Sequence, residues 1–189
     1  EVGGLLVDVG AEAMLNRRPE GVALAEDVGL ADRLVHPGTV KSQLWNRRRL
    51  VPMPRTLMGV PGDVSSLGQV LSKAGQVRAA LESRLPASPV PDDPEWDVSI
   101  GHLVEERFGK EVVDRLVEPL LGGVYAGHAR EISVRAAVPQ VLALLERDKS
   151  LTRAAAEALA AAPSDVPVFA GLRGGVGQLP TAVLTASGA

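Results

Sequence analysis

Three glycine-bearing segments and one basic run are the parts of this sequence whose residue types could do chemistry. Glycine has no Cβ, so its backbone can approach a flat ligand or an anion closely. The segments are 10–13 (GAEA), 120–127 (LLGGVYAG) and 171–180 (GLRGGVGQLP), and the basic run is 47–49 (RRR). Each also has an ordinary structural interpretation, as a strand end, a helix end, a strand-to-helix turn or a solvated hairpin tip. Taken singly, these patterns favour the structural interpretation.

Segment 171–180 is similar to a loop that holds a phosphate at the start of a helix. It lacks the Lys-Ser/Thr pair of a P-loop, and its glycine spacing is not G-x-G-x-x-G. We therefore interpret it as a sharp turn between a strand and a helix. The arginines at 47–49 could bind carboxylates or phosphates through paired hydrogen bonds.

The composition excludes several kinds of function. The net charge of −3 gives no basic field for nucleic acid. The chain has no cysteine, which excludes disulfides, thiolate metal sites and a thiol nucleophile. Its histidines are not at metal-ligand spacing, and neither a Ser-His-Asp arrangement nor an acid pair is readable. No apolar run approaches the roughly 20 residues that span a bilayer, so we expect a cytoplasmic protein without a transmembrane segment.

The chain that positions these residues is predicted to be mostly helical, with a few short strands and no internal repeat. The predicted strands are a half-buried one that follows a turn within 2–9, a hairpin of 41–45 and 50–53 joined by a turn at 46–49, and 166–170. The predicted helices are 19–28, 65–85, 99–108, one after Gly109 that ends at Gly122, 133–147 with a break before Pro139, 151–162, and one from Leu179. Residues 54–61 should be extended because of their prolines, and 86–94 should be a loop.

The helix after Gly109 has the clearest apolar pattern. Its buried stripe is expected to consist of Val112, Val113, Leu116, Val117 and Leu120. Gly122 and Gly123 should stop the helix and open a tight turn through Gly127. In the preceding helix, His102 is expected to lie on a packing face.

In their order along the chain, these segments resemble the oxygen-dependent protoporphyrinogen/coproporphyrinogen oxidases, which contain FAD and belong to the amine-oxidase-like flavoproteins. The resemblance covers essentially the whole chain, and its most specific part is 118–137. The motifs that carry it are 7–13 (VDVGAEA), the hairpin from 45 to 53 running into Pro54, 118–127 (EPLLGGVYAG), 132–137 (ISVRAA) and 172–180 (LRGGVGQLP).

The resemblance implies an α+β chain, mostly helical with a few short strands, cut from a two-domain oxidoreductase with a Rossmann-type FAD-binding domain. Residues 1–16 would be a remnant of the FAD-binding domain. Residues 17–170 would be the substrate-binding domain with the hairpin at 41–53, and 171–189 would return toward the FAD-binding domain. Both chain ends look cut, and the family's G-x-G-x-x-G turn for the FAD pyrophosphate is not in the sequence. We therefore expect an internal fragment with an incomplete cofactor site, which is inactive by itself.

The resemblance also implies site residues. Gly10, Ala11, Glu12 and Ala13 match positions that contact the flavin near its isoalloxazine ring. Gly123, Val124 and Tyr125 match positions near the tetrapyrrole. Ser42, with Lys41 and Gln43 beside it, lies in the stretch where protoporphyrinogen-type members hold a propionate with an arginine. Segment 42–60 resembles the Gram-positive-type enzymes, which oxidise coproporphyrinogen III, and protoporphyrinogen IX stays open as the other substrate. No catalytic residue and no metal site is assigned.

The implied chemistry is removal of hydride from a porphyrinogen to FAD, with O2 as the final acceptor. The partners are the porphyrinogen and O2, without nucleic acid, and the arginines at 47–49 are candidates for binding substrate carboxylates. Peripheral contact with a membrane and a homodimer stay open. Two alternatives also stay open: another amine-oxidase-like flavoprotein, such as a carotenoid desaturase or amine oxidase, and a non-catalytic helical module that binds a tetrapyrrole.

Overall fold

The computed structural model describes residues 2–4, 7–16, 18–38, 41–161 and 167–188. The chain divides into two units: Glu1–Val40 together with Ser164–Ala189, and Lys41–Pro163. Helices and short strands occur in both units, and helices account for more of the described residues. The predicted α+β class is therefore confirmed at the level of secondary structure.

The first unit contains a three-stranded antiparallel sheet whose middle strand comes from the end of the chain. Strand β1 (Met14–Leu15) and strand β2 (Leu34–Val35) lie on either side of β7 (Phe169–Leu172). Opposite residues are Met14 and Ala170, Leu15 and Phe169, Leu34 and Leu172, and Val35 and Gly171. The register joins two parts of the sequence that are more than a hundred residues apart. The predicted strand 166–170 thus lies further along the chain, and Val166 is outside the described residues.

Two helices flank this sheet in sequence. Helix α1 (Pro19–Asp27) begins with proline in its first turn and is followed by Gly29 with a φ of +80°. Helix α9 (Gln178–Ser187) follows the glycine-rich turn after β7. Both predicted helices are confirmed.

The predicted opening strand is wrong for the described part of it. Residues 7–13 form neither a strand nor a helix. The Asp8 side chain accepts hydrogen bonds from the Gly177 amide, and Val9 is fully exposed. An apolar run therefore predicted burial that this segment does not have, and Leu5 and Leu6 lie outside the described residues.

The second unit begins with the predicted hairpin. Strand β3 (Gln43–Asn46) pairs antiparallel with β4 (Arg49–Pro52). The two-residue turn between them places Arg47 at φ +49° and Arg48 at φ +64°. Two consecutive positive φ angles are typical of a type I′ turn, which matches the twist of the strands it joins. The hairpin prediction is confirmed, with ends shifted by one or two residues.

A second hairpin follows that the sequence did not predict. Strands β5 (Thr56–Leu57) and β6 (Val60–Pro61) pair across a turn at Met58 and Gly59, with φ angles of +48° and +90°. The prolines of this stretch predicted only extended backbone. Pro61 takes a strand position all the same, because the strand is two residues long and at an edge.

The helices of the second unit surround one apolar core. They are α2 (Lys73–Ala80), α3 (Ile100–Phe108), α4 (Lys110–Val112), α5 (Gly123–Tyr125), α6 (Val134–Ala137), α7 (Gln140–Arg147) and α8 (Leu151–Ala161), with 3₁₀ turns at Val64–Gln69 and Glu82–Arg84. Ser99 caps α3 by accepting a hydrogen bond from the His102 amide at 3.1 Å. The predicted cap and the break before Pro139 are confirmed, whereas the predicted helix 65–85 is broken into three pieces.

A π-helical segment, Val113–Gly122, lies between α4 and α5, so that residues 110–125 form one continuous helix. Pro119 lies inside it. A proline cannot continue the ordinary hydrogen-bond ladder, and π turns occur mostly where the ladder is interrupted, often at functional sites. The predicted buried stripe is confirmed except at Leu120, which is only partly buried.

The predicted helix stop at the glycine pair is wrong. Gly122 and Gly123 are helical, with φ angles of −58° and −66°. The helix ends at Ala126, which has a φ of +51°. The position predicted for His102 is also wrong, because its side chain is 64% exposed and lies 3.5 Å from Glu106.

One charged pair lies inside the second unit. The guanidinium of Arg107 donates to the Glu82 carboxylate at 2.6 Å, and both side chains are almost completely buried. The same carboxylate accepts from the Ser150 hydroxyl at 2.7 Å and the Leu151 amide at 2.8 Å, at the start of α8. Burial alone would raise the pKa of Glu82, but the hydrogen bonds from Arg107 and Ser150 lower it.

Candidate functional site

The glycine-rich turn of the first unit holds a carboxylate of the chain itself. The Gly177 amide, just before α9, donates to the two Asp8 carboxylate oxygens at 3.3 and 3.2 Å. A Cβ on Gly175 would lie 2.7 Å from an Asp8 oxygen, and one on Gly177 would lie 2.6 Å from the other. A carboxylate is favoured at the start of a helix because of the free amides and the helix dipole there. The predicted strand-to-helix turn is confirmed. Asp8 lies against two of its glycines, Gly175 and Gly177, whereas Gly174 faces the Gln178 side chain.

Side-chain contacts hold this turn in place. Arg33 donates to the side-chain oxygen of Gln178, and the Gln178 amide group donates to the carbonyls of Gly175 at 2.8 Å and Arg173 at 3.0 Å. The Arg173 amide donates to the Arg33 carbonyl at 2.8 Å. The turn is thus fixed on both sides.

An apolar groove of about 540 Å³ lies beside the turn within the first unit. Gly10 and Ala11 line it, opposite Val176, Leu179 and Pro180. Glu12 and Ala13 are exposed and continue toward β1, and they are not among the residues that line the groove. The structure therefore brings together two of the four residues predicted to contact flavin.

The groove fits one part of a flavin dinucleotide. A Cβ on Gly10 would meet no atom within 4 Å, so a flat ring could approach the backbone there. Apart from Asp8, the groove is lined by apolar side chains and glycine. A pyrophosphate needs free amides or basic groups, and the Gly177 amide already binds Asp8. The residues present fit an apolar ring better than they fit phosphates.

The glycine pair Gly122 and Gly123 lies in the second unit, near the end of the 110–125 helix. Val124 is 72% exposed, and Tyr125 is 41% exposed although its hydroxyl donates to the Ala137 carbonyl at 2.8 Å. A Cβ on Gly123 would meet no atom within 4 Å, whereas one on Gly122 would lie 2.9 Å from the Gly127 carbonyl oxygen. Gly123, Val124 and Tyr125 thus form an open surface, and Gly122 packs beneath it.

Glu118 binds the segment that follows this surface, and no role was predicted for it. Its carboxylate accepts from the Ala129 amide at 2.8 Å and lies 3.0 Å from the His128 Nδ1. The Ala129 amide, then His128, lower the pKa of Glu118, and the carboxylate raises the pKa of His128. Its partners are ten and eleven residues away, a spacing that no helical or strand pattern marks.

The hairpin of the second unit carries the remaining candidates. Ser42 is exposed, and its carbonyl accepts from the Met53 amide at 3.0 Å. Arg47 donates to Glu111 at 3.0 Å, so its charge is partly neutralised, while Arg48 and Arg49 are exposed. The residues predicted to contact substrate therefore lie on two elements. Ser42 lies at the start of this hairpin, and Gly123–Tyr125 lie at the end of the 110–125 helix.

An apolar pair on the same hairpin was missed by the sequence analysis. Trp45 and Leu50 are opposite one another on β3 and β4, and they are 71% and 59% exposed. Strand alternation was the signal that could have found them, since Leu44 and Asn46 on the other face are buried.

The described residues contain neither a metal site nor a helix that could cross a membrane. Among the residues described, no three His, Cys, Asp or Glu side chains are placed so that they could hold a metal ion. Within the described ranges, no helix has the length and apolar character needed to cross a bilayer.

Comparison with known proteins links this arrangement to a family. Residues 1–188 match the family described as flavin containing amine oxidoreductase. The chain is 40% identical over 177 residues to the coproporphyrinogen III oxidase of Mycobacterium tuberculosis (strain CDC 1551), covering 92% of this chain and 38% of that protein. It is 36% identical over 152 residues to the coproporphyrinogen III oxidase of Bacillus subtilis, covering 78% of this chain and 31% of that protein.

Structural comparison gives a similar result. A crystal structure from Exiguobacterium sp. 255-15, whose name refers to protoporphyrinogen oxidase, has a TM-score of 0.77 with this chain and 27% identity. The match covers 93% of this chain and 38% of that one. The chain thus spans less than two fifths of the length of these proteins.

Proposed function

Because this chain belongs to the flavin containing amine oxidoreductase family, we propose that it is part of an FAD-dependent oxidase that converts a porphyrinogen to a porphyrin with O2 as acceptor. The family is described by its flavin, which confirms the predicted kind of cofactor. The observation that carries the proposal is the 40% identity to a coproporphyrinogen III oxidase over 92% of this chain. The order of the motifs from Val7 to Pro180 belongs to the same likeness.

We propose coproporphyrinogen III, rather than protoporphyrinogen IX, as the substrate. The chain is 40% and 36% identical to coproporphyrinogen III oxidases of two bacteria. It is 33% identical to protoporphyrinogen oxidase 1 of Spinacia oleracea, over 69% of this chain and 22% of that protein. Ser42 supports the same choice, because it lies where an arginine is expected in protoporphyrinogen-type members.

We propose the two predicted domains with their bounds moved to those of the structural units, because the sheet of β1, β2 and β7 joins residues on both sides of the predicted bounds at 16 and 170. Residues 1–40 and 164–189 would belong to a Rossmann-type FAD-binding domain, and residues 41–163 would belong to a substrate-binding domain. The groove beside Gly10 and Ala11 supports the first assignment, since an apolar groove with open backbone suits the isoalloxazine ring. Glu12 and Ala13 remain predicted flavin contacts.

FAD, when bound, would supply the acceptor for hydride from the porphyrinogen and pass the electrons to O2. The residues of this chain would bind and orient the flavin ring and the porphyrinogen. Gly10 and Ala11 would face the ring, Gly123, Val124 and Tyr125 would contact the apolar macrocycle, and Ser42 would lie near a carboxylate arm. The exposed guanidinium groups of Arg48 and Arg49 could pair with substrate carboxylates. A cytoplasmic location, a homodimer and peripheral membrane contact stay predictions.

The test is a purification followed by two titrations. The absorbance spectrum of the purified protein, with and without added FAD, reports bound flavin. Coproporphyrin III fluorescence reports binding of the tetrapyrrole product, and peroxide formation from coproporphyrinogen III reports turnover. Because the sequence lacks the G-x-G-x-x-G turn for the FAD pyrophosphate, we expect this chain to bind the porphyrin, to bind added FAD only weakly and to show no turnover.

Other outcomes separate the alternatives. Porphyrin binding by a protein that never binds FAD would support the non-catalytic tetrapyrrole module. Flavin binding with no affinity for porphyrin would favour another member of the family, such as a carotenoid desaturase or amine oxidase. Binding of neither ligand would contradict the proposal.

A further inference from the structure

The segment that follows the Gly123–Tyr125 surface is held through both backbone polar groups of Ala129. The amide of Ala129 donates to Glu118 at 2.8 Å, and its carbonyl accepts from the Gly101 amide at 2.8 Å. A Cβ on Gly101 would lie 2.7 Å from the carbonyl carbon of Ala129, so α3 packs directly on this backbone. Ala129 is therefore clamped between α3 and the carboxylate of Glu118.

The same carboxylate reaches the other end of the turn. A Cβ on Gly122 would lie 3.4 Å from the nearer Glu118 oxygen and 2.9 Å from the Gly127 carbonyl oxygen. The Gly127 amide donates to the Gly122 carbonyl at 3.2 Å. Glu118, Gly122 and Gly127 thus form a layer beneath the exposed residues of α5.

The π-helical segment places Glu118 where it can do this. Each residue of a π turn advances the chain by a smaller angle than in an α-helix, so the side chains shift relative to their α-helical positions. Glu118 precedes Pro119, and its side chain lies along the turn at 122–129, with about a third of its surface exposed. A carboxylate in this position can accept from two partners at once, because it has two oxygens and no proton to donate.

We propose that Glu118 is a positioning residue for substrate. Resting on the proposed function, it fixes the turn at 122–129 so that Gly123, Val124 and Tyr125 present one rigid surface to the tetrapyrrole. It makes no contact with substrate itself and acts through Ala129 and Gly122. Hydrogen bonds to a charged group are the stronger ones, so its loss should be measurable.

The experiment compares the variants Glu118→Ala, Glu118→Gln and Glu106→Gln in the full chain. Glutamine keeps an oxygen that can accept from the Ala129 amide, so Glu118→Gln is the conservative rescue. Glu106 is an exposed glutamate of α3 that lies 3.5 Å from His102, which makes it a matched control. Coproporphyrin III fluorescence titrations give the affinity, and amide hydrogen exchange at Ala129 and residues 122–127 gives the order of the turn.

We expect Glu118→Ala to weaken coproporphyrin III binding about tenfold and to speed Ala129 exchange at least as much. Glu118→Gln should recover most of both effects, and Glu106→Gln should match wild type. Unchanged affinity in Glu118→Ala, or slow Ala129 exchange in it, would overturn the proposal. If a wild-type chain binds no porphyrin, the proposed function and the substrate role fail together. The exchange data would then show by themselves whether Glu118 still orders the turn.

Discussion

Gly174 and Gly175 adopt φ angles of +95° and +102°, whereas Gly122 and Gly123 are helical at −58° and −66°. The first pair takes a backbone conformation that other residues rarely adopt. The second pair takes a helical conformation, which is more favourable for alanine than for glycine. Two identical dipeptides thus have opposite requirements.

The space around each glycine differs as well. Gly175 faces the carboxylate of Asp8, and Gly122 faces the backbone carbonyl of Gly127. Gly123 faces open space. A glycine pair in a sequence therefore indicates an unusual φ, a close contact or an open surface, and neighbouring glycines need not share the reason.

The largest effect is expected for Gly175→Ala. The new Cβ would lie 2.7 Å from an Asp8 oxygen, on a backbone with φ +102°. Strain and the displaced carboxylate together should lower the free energy of unfolding by about 3 kcal/mol. Urea unfolding of wild type and variant measures this loss.

Asp8→Ala separates the two causes. In a chain that carries both changes the clash is absent, so the effects of Asp8→Ala and Gly175→Ala should add to more than the double variant shows. Simple additivity would mean that the backbone angle alone explains why Gly175 is glycine.

Alanine substitutions at Gly122 and Gly123 should have different effects on the stability. Gly122→Ala should destabilise the chain by about 1 to 2 kcal/mol, because its Cβ meets a backbone oxygen that cannot rotate away. Gly123→Ala should be neutral or stabilise by up to about 1 kcal/mol, since alanine favours a helix and nothing lies near its Cβ. Thermal melts of both variants decide this, and equal melting temperatures would contradict the distinction.

A smaller effect is expected for Gly123→Val, and it should change the affinity for coproporphyrin III more than the stability. Because the φ of Gly123 is −66°, valine meets no backbone strain, and the melting temperature should change little. A β-branched side chain on the proposed substrate surface should weaken coproporphyrin III binding about tenfold. Fluorescence titration measures the affinity. A variant that binds as wild type does would show that Gly123 is not near the macrocycle.

The smallest effect is expected from pH at the second turn. Glu118, helped by Glu131, raises the pKa of His128 above its ordinary value of 6.5. The stability that the His128–Glu118 ion pair contributes is therefore complete below pH 6.5 and is lost as pH rises through the raised pKa of His128. The Ala129 amide and His128 lower the pKa of Glu118 below 4.5, so its contribution is lost as pH falls through that lowered value. Protection of the Ala129 amide should be greatest between these limits.

NMR titration of the His128 ring checks the cause. Its pKa should be above 6.5 in wild type and should return toward 6.5 in Glu118→Gln. A His128 pKa that is the same in both proteins would mean that the ion pair has no influence on this turn.

Local signals predicted much of the fold. Proline in the first turn of α1, serine before α3, and the arginine turn between β3 and β4 each act through neighbouring residues, and all three elements are present. One error came from a distant contact, because Asp8 binds an amide 169 residues away and does not continue a strand. The helix stop predicted at Gly122 was wrong for a local reason: both glycines take helical φ angles, which glycine allows as readily as it allows a stop.

The candidate site was predicted less completely. Gly10 and Ala11 line a groove, and Gly123–Tyr125 are exposed, but the groups that hold these segments were not found. Glu118 contacts residues ten and eleven positions away through a loop, and Gly122 is needed for contact with a carbonyl. Neither relation leaves a periodic pattern in the sequence, so only the folded backbone reveals it.

The buried pair of Glu82 and Arg107 limits how this sequence can change over time. Losing either partner alone leaves a charge without its counterpart in the interior, which typically costs about 3–5 kcal/mol. That loss is a large share of the stability of an ordinary domain. Replacement of both by well-packed apolar residues can be neutral, but no single step reaches it safely. Descendants of this chain are therefore expected to keep both residues or to change them together, and Ser150 should be freer to vary than either.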